Sequence, residues 1–326
     1  MGLDCVSVNI TASTEVFANS EPSLNKPRRD LESQNLKTND RGGGRLWWIL
    51  GIDVPLFATI SILVALFELG VFPQYKNGFF CNDPALSFPY RGDTVSNSVI
   101  MSTLILLPFL VTFITELVLF DSSYSIRTKL NYVTRKTFIL YRNYLYGMFF
   151  NLGIVEVMKG ITGSPRPSFF DICEPDTAKT CNGSEFVSTF ECTSTRFSSW
   201  YQNDSFHSFP SGHTSLSVYC GLFMAWYLQR RAFLRSNKTY LFVPVVQLLC
   251  LSYSAICSLT RITDHRHHWW DVLTGAIIGV ATALYVVLVL SHNFKKSKLL
   301  KDKTMTESQH TVRTLVFDGQ QQVPVP

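Results

Sequence analysis

The sequence has few charged residues for its length. Lysine, arginine, aspartate and glutamate make up 16% of its 326 residues, against about 25% in an ordinary soluble domain. It contains no Gly-x4-Gly-Lys phosphate loop, no Cys-x-x-Cys pair and no basic stripe. Those absences argue against the common nucleotide-binding, zinc-binding and nucleic-acid-binding classes.

Apolar residues, in contrast, are abundant and come in long blocks. The hydrophobic set reaches 46%, with 25 phenylalanines. The apolar residues form blocks rather than amphipathic stripes, which is typical of membrane-spanning helices. The runs cover about 46–72, 99–120, 144–158, 214–228, 240–259 and 269–290. We therefore predict an all-α, multi-pass integral membrane protein with six transmembrane helices, of which the third is the shortest.

The polar ends of the sequence suggest three parts. Residues 1–45 are polar and are interpreted as a cytoplasmic disordered tail without a signal peptide. Residues 46–292 form the predicted six-span domain, and 293–326 form a second cytoplasmic tail. The loops at 121–142 and 229–238 are basic, so the positive-inside rule places both termini in the cytoplasm.

Four cysteines and two glycosylation sequons fall in the loops assigned to the opposite side. Asn182 and Asn203 begin the sequons, which predicts glycosylation there. An even number of extracytoplasmic thiols is compatible with disulfides, and four thiols allow three pairings. These cysteines are Cys81, Cys173, Cys181 and Cys192.

Three polar clusters flank the apolar runs, all at the predicted extracytoplasmic edge. They span 159–167, 208–214 and 260–271. In the second cluster Ser211 is placed as a helix N-cap, with His213 in the first turn. The unpaired N–H groups of a helix start attract anions such as phosphate. Taken alone, such a stretch is more often an ordinary helix cap.

The clusters bring together residue types that suit phosphate chemistry. Lys159, Arg166 and Arg261 are fixed cations that match phosphoryl oxygens. Alternatively, such cations anchor span ends or reach lipid headgroups. One histidine of His213 and His267 would attack phosphorus while the other handles the proton.

Asp271 follows His267 by one helical turn and is predicted to accept a hydrogen bond from its imidazole. The competing interpretations of the histidine cluster are an aromatic interface belt and a metal site.

Three motifs in order resemble the lipid phosphate phosphatases of the type-2 phosphatidic acid phosphatase superfamily. They are Lys159-x6-Arg166-Pro167, then Pro210-Ser211-Gly212-His213, then Thr260-Arg261-x5-His267-x3-Asp271. Thr260 stands where the family usually has serine, and Ser168 where these phosphatases commonly have histidine. The resemblance implies that His213 is the nucleophile and that His267 with Asp271 handles the proton. It also implies that the phosphoryl group is held by Lys159, Arg166, Ser211, Gly212 and Arg261.

By this resemblance the protein would hydrolyse lipid phosphate monoesters without a metal or other cofactor, through a phosphohistidine. The expected substrates are phosphatidate, lysophosphatidate, ceramide 1-phosphate and sphingosine 1-phosphate. Its other partners would be membrane lipids, and no nucleic acid is expected. The expected location is the plasma membrane, and a homo-oligomer is compatible with the sequence. The rival interpretations are an inactive relative that binds or transports lipid, and an isoprenoid diphosphate phosphatase.

Three acids in or beside the apolar runs lack an assigned role. These are Glu68, Glu116 and Glu156. Acids at membrane depth are candidates for function, although packing against another helix is the plainer interpretation. Glu156 precedes Lys159 by three residues, so a helix would allow the two to pair.

Overall fold

The computed structural model describes residues 49–69, 71, 75–119, 126–233 and 241–294. The predicted tails at 1–45 and from 295 onwards lie outside these residues. The chain divides into two units between Leu56 and Phe57. Of the first unit, the described part is a π-helical turn, Ile49–Asp53, and the start of one helix. All site elements belong to the second unit.

The described chain is mostly helical, with six long helices at the six predicted runs. These are α1 (Val54–Glu68), α2 (Asn97–Leu119), α3 (Ile126–Thr162), α6 (Gly212–Leu228), α7 (Phe242–Thr263) and α8 (Trp269–Tyr285). Two short helices, α4 (Phe169–Cys173) and α5 (Ser199–Asp204), lie between α3 and α6. Strands β1 (Phe79–Phe80) and β2 (Phe186–Val187) pair antiparallel.

Three helices in the described chain are long and apolar enough to cross a membrane. They cover Asn97–Leu119, Phe242–Thr263 and Trp269–Leu290, the last including a π-helical turn after α8. The all-α membrane character is thus supported, whereas the number six stays a prediction. A shorter apolar helical stretch covers Gly51–Phe67.

The predicted basic loop at 121–142 is largely wrong, because α3 begins at Ile126 and continues for 37 residues. The segment contains neither proline nor glycine to stop a helix. Its buried residues Val133, Thr137 and Tyr144 recur at helical spacing. The charges of this stretch suggest a loop, but its buried positions follow the helical period.

Helix α6 lies at the centre of the bundle, and glycines allow its neighbours to approach closely. A Cβ built at Gly275 of α8 would lie 2.5 Å from the carbonyl oxygen of Ser211. One turn later, a Cβ at Gly279 would lie 2.5 Å from the carbonyl oxygen of Ser215. Any larger residue would push α8 outwards, so the two glycines bring the starts of α6 and α8 together.

A small cap formed by the loops covers this end of the helices. Its own apolar core consists of Phe79, Leu86, Phe169, Cys173 and Phe206. Two disulfides close the cap, Cys81–Cys181 and Cys173–Cys192. The expected disulfides among these four thiols are confirmed, and one of the three pairings is selected. Asn182 is exposed on the cap, whereas Asn203 lies half-buried on α5.

Candidate active site

The start of α6 has the predicted geometry. Ser211 is the N-cap, and its side-chain oxygen accepts hydrogen bonds from the Thr214 backbone N–H (3.5 Å) and hydroxyl (3.1 Å). His213 lies in the first turn. The backbone N–H of Ser211 donates to the carbonyl of Asp271 at 3.1 Å. The second and third sequence clusters are therefore joined directly through their backbones.

His267 has a defined tautomer because of a backbone contact. Its Nδ1 lies 2.6 Å from the carbonyl oxygen of Ser208. A carbonyl only accepts, so Nδ1 carries the proton and Nε2 keeps its lone pair. Burial, followed by the nearby Arg166, lowers the pKa of His267 well below 6.5. The imidazole is consequently neutral at pH 7.

The predicted hydrogen bond between Asp271 and His267 is wrong. Oδ2 of Asp271 lies 3.9 Å from Nδ1 of His267, which is too long. The same oxygen accepts from the Ser208 hydroxyl at 2.5 Å and from the His268 backbone N–H at 2.9 Å. Asp271 thus fixes Ser208, and the carbonyl of Ser208 in turn fixes His267. The effect of Asp271 on the imidazole is therefore indirect.

The predicted pairing of Lys159 with Glu156 is confirmed. Lys159 Nζ lies 2.7 Å from Glu156 Oε1, both on α3. A Cβ built at Gly212 would lie 3.7 Å from this ammonium. The ammonium of Lys159 therefore lies directly beside the first turn of α6.

Arg166 is buried and bound on three sides. Its Nε and Nη2 donate to the carbonyl oxygen and Oδ1 of Asp204, at 2.8 and 2.7 Å. Its Nη1 donates to the Arg266 carbonyl at 3.3 Å. Burial lowers the pKa of Arg166 to about 10, so it stays charged at pH 7. Burial alone would raise the pKa of Asp204, but Arg166 and Arg266 bring it below its ordinary value.

Arg261, near the end of α7, is only 1% exposed. Its Nη1 donates to Asp93 at 2.9 Å, and its Nη2 donates to Asp264 and to the Val95 carbonyl, both at 3.1 Å. The third predicted cation is therefore present at the same end of the bundle, but paired with carboxylates.

Residues 88–95 form a strap across the loop between α7 and α8. Phe88 stacks on His265 with ring centroids 4.1 Å apart. The backbone N–H and hydroxyl of Thr94 donate to Asp264 at 2.8 and 2.6 Å. Sequence analysis missed this strap, together with Asp93, Asp204, Arg266 and Ser208, because no local pattern links them to partners far away in the chain.

Several buried polar atoms at this end have no hydrogen-bond partner among the described residues. They are Nε2 of His213, Nε of Arg261, Nε and Nη1 of Arg266, Oδ1 of Asp271 and Oγ of Ser168. Such atoms normally indicate a missing water or ligand. The charges of Arg261, Lys159, Arg166 and Arg266 all act on His213. A site with two histidines, several cations and buried polar atoms without hydrogen-bond partners can bind an anion and react with it.

The described residues contain no group of three or more His, Cys, Asp or Glu side chains that could hold a metal ion. The orphaned atoms include cationic donors as well as the carboxylate oxygen of Asp271. The cationic donors suit the oxygens of a phosphate and repel a metal ion. The carboxylate oxygen only accepts, so it suits a protonated partner such as water or a hydroxyl. Metal-independent chemistry stays a prediction.

Comparison with known proteins bears on the same residues. The PAP2 superfamily matches residues 140–295, which include all three motifs. Phospholipid phosphatase 2 of Bos taurus is 32% identical over 253 residues, covering 77% of this chain and 85% of the relative. The chain belongs to the PAP2 superfamily.

Other members of the PAP2 superfamily are comparably similar. Phospholipid phosphatase 2 of Homo sapiens is 30% identical, covering 77% of this chain and 85% of the relative. Phospholipid phosphatase 1 of Mus musculus is 29% identical, covering 73% and 82%. No solved structure matches the chain. The resemblance inferred from the three motifs is thereby confirmed.

Proposed function

We propose that this PAP2 protein hydrolyses lipid phosphate monoesters by way of a phosphohistidine. The observation that carries the proposal is the pair of histidines at one end of the bundle. His267 has its proton fixed on Nδ1 by Ser208, and His213 has an unpartnered Nε2. The names of the similar phospholipid phosphatases support the substrate class.

The geometry favours an exchange of the two histidine roles that the resemblance implies. A nucleophilic imidazole has to be neutral and offer a lone pair. His267 meets both conditions, because the Ser208 carbonyl holds its only proton on the far nitrogen. Among the described residues, no carbonyl fixes the proton of His213 in the same way, and its Nε2 has no partner. We therefore assign attack to His267 and proton transfer to His213.

The proposed reaction has two balanced steps. Nε2 of His267 attacks phosphorus, the bond from phosphorus to the lipid oxygen breaks, and His213 gives that oxygen its proton. His213 then takes a proton from water, whose oxygen attacks the phosphohistidine, and the P–N bond breaks. The products are the dephosphorylated lipid and inorganic phosphate, with both histidines restored.

The cations hold the phosphoryl oxygens and stabilise their charge in the transition state. Lys159, Arg166 and Arg261 fill this role, aided by the N–H groups at the start of α6. Each cation is paired with a carboxylate in the structure. The incoming dianion therefore competes with these acids, and its charge lets His213 hold a proton among the cations.

The preferred membrane arrangement is six spans with the site on the extracytoplasmic side and both termini in the cytoplasm. Two disulfides in the cap support it, because disulfides persist in oxidising compartments. The exposed Asn182 is compatible with glycosylation on the same side. The proposed location is the plasma membrane.

The test is phosphate release by purified protein in a chelator, with the lipid monoesters named above and an isoprenoid diphosphate as substrates. His213→Ala and His267→Ala should each lower turnover by at least ~10²-fold. With p-nitrophenyl phosphate, whose leaving group needs no proton, His213→Ala should still form phosphoenzyme, whereas His267→Ala should form none. His310→Ala, outside the motifs, serves as control.

Wild-type turnover in His267→Ala would overturn the proposed function. Phosphoenzyme in His267→Ala but not in His213→Ala would restore the roles implied by the resemblance. Exclusive use of the diphosphate would assign a different substrate class. Intact cells supplied with lysophosphatidate would report the side on which the site lies.

A further inference from the structure

Arg266 is a buried cation that none of the three motifs assigns. It is 5% exposed and lies directly before His267. Its Nη2 donates to Asp204 Oδ2 at 2.8 Å, and its Nε lies 3.1 Å from Asp93 Oδ1 as an ion pair. Its guanidinium also stacks on Tyr90 at 5.1 Å. The side chain is thus fixed by two acids from two different loops.

The same two aspartates bind the arginines expected to hold phosphate. Asp204 accepts from Arg166 at 2.7 Å through Oδ1 while Oδ2 serves Arg266. Asp93 Oδ1 lies 2.9 Å from Arg261 and 3.1 Å from Arg266. Arg266 is therefore the central member of an alternating chain of three arginines and two aspartates.

The ion-paired groups at the site are balanced in charge among themselves. Four cations and four carboxylates are in direct contact. The cations are Lys159, Arg166, Arg261 and Arg266, and the carboxylates are Glu156, Asp93, Asp204 and Asp264. Asp271 adds a fifth carboxylate, which is buried and accepts a hydrogen bond from Ser208. Without Arg266 the five acids would therefore outnumber the three cations by two. The extra negative charge would oppose the entry of a phosphate dianion.

We propose that Arg266 is a positioning residue: through two shared aspartates it fixes where the phosphate-binding arginines Arg166 and Arg261 stand. Its backbone takes part as well, because its carbonyl accepts a hydrogen bond from Arg166. Lysine is an inadequate substitute, since one ammonium group cannot replace the separate Nε and Nη2 contacts. The proposal rests on the lipid phosphatase activity proposed above.

The test measures kcat and KM for lysophosphatidate in detergent micelles, together with thermal unfolding. Arg266→Gln should raise KM about tenfold or more, as for a charged hydrogen bond, with a smaller change in kcat. Arg266→Lys keeps the charge and should fall between Arg266→Gln and wild type. Arg196→Gln is the matched control, because Arg196 also pairs with two acids in the cap but is 57% exposed.

A double-mutant cycle separates positioning from mere structure. Asp204→Asn in the Arg266→Gln background removes one of the acids that Arg266 no longer neutralises. The increase in KM of the double variant should therefore be smaller than the product of the increases in the two single variants. Independent, multiplying effects on KM would overturn the proposal, as would a wild-type KM in folded Arg266→Gln. If Arg266→Gln does not fold, Arg266→Lys carries the test, and a wild-type KM in that variant overturns it. A wild-type protein without phosphate release would instead overturn the function itself.

Discussion

A buried cluster of charged side chains lies at each end of α6, and the two clusters differ in how many of their polar atoms have hydrogen-bond partners. At the far end, Glu116 accepts from Arg231 at 2.9 and 2.8 Å, from Tyr227 at 3.0 Å and from Lys136 at 2.9 Å. Both carboxylate oxygens are fully used. At the start of α6, by contrast, His213 Nε2 and Asp271 Oδ1 are buried without partners.

The difference separates a structural cluster from a reactive one. A fully satisfied buried network rigidifies a bundle, and breaking it is costly. A network with unpaired buried atoms costs stability unless a ligand completes it. Glu116 therefore joins α2, α3 and the end of α6, which answers the open question of its role. The opposite cluster keeps its capacity for an incoming anion.

The largest effect on stability is expected at the satisfied end. Glu116→Ala leaves Arg231, 7% exposed, without its carboxylate, and should lower the free energy of unfolding by about 3–5 kcal/mol. The turnover of the protein that remains folded should stay within about twofold of wild type. Thermal unfolding in detergent, paired with phosphate release, checks both. A large loss of turnover at unchanged stability would erase the contrast between the two ends.

A smaller and different effect is expected from Ser208→Ala. This change removes the hydroxyl that donates to Asp271 but keeps the carbonyl that holds His267. We expect a loss of about 1–3 kcal/mol in stability, as for a hydrogen bond to a buried charge. We also expect a measurable fall in kcat. Ser217→Ala is the control, because the Ser217 hydroxyl lies further along α6 and donates to the backbone carbonyl of Thr214. Equal effects of both variants on kcat would contradict the role given to Ser208.

The smallest effect concerns pH and His207, beside the site. Burial, then Lys159, lowers the pKa of His207 from 6.5 to about 4. Between these values the unfolded chain binds a proton that the folded chain does not, so stability falls as pH decreases. Between pH 7 and pH 5, the melting temperature of His207→Gln should decrease less than that of the wild type. His267 acts in the same direction, so some dependence should remain. An unchanged slope would refute the assignment.

Local features were predictable from the sequence. The Ser211 cap and the Glu156–Lys159 pair each join residues within one helical turn, and both are confirmed. The four disulfide-bonded loop cysteines were found because disulfides need only a shared compartment. Glu68 remains open, since its side chain lies outside the described residues.

Contacts between distant segments were not predictable. Arg266 with Asp204, and Arg261 with Asp93, join loops that no spacing rule connects. The acceptor for His267 is a backbone carbonyl, which any residue supplies and which therefore leaves no mark in the sequence. The exchange of roles between the two histidines follows from this one contact.

The disulfide Cys81–Cys181 also constrains the membrane topology of the chain. Both thiols must lie in the same compartment, so the chain between them crosses the bilayer an even number of times. Of the two long helices between them, α2 is long and apolar enough to cross. In the proposed six-span arrangement α3 returns the chain. The hydrogen bond from Ser211 to Asp271 sets the same condition on α6 and α7. These contacts therefore support the crossings that the proposed six-span arrangement assigns to α3 and α6, whose composition alone falls short of a membrane span.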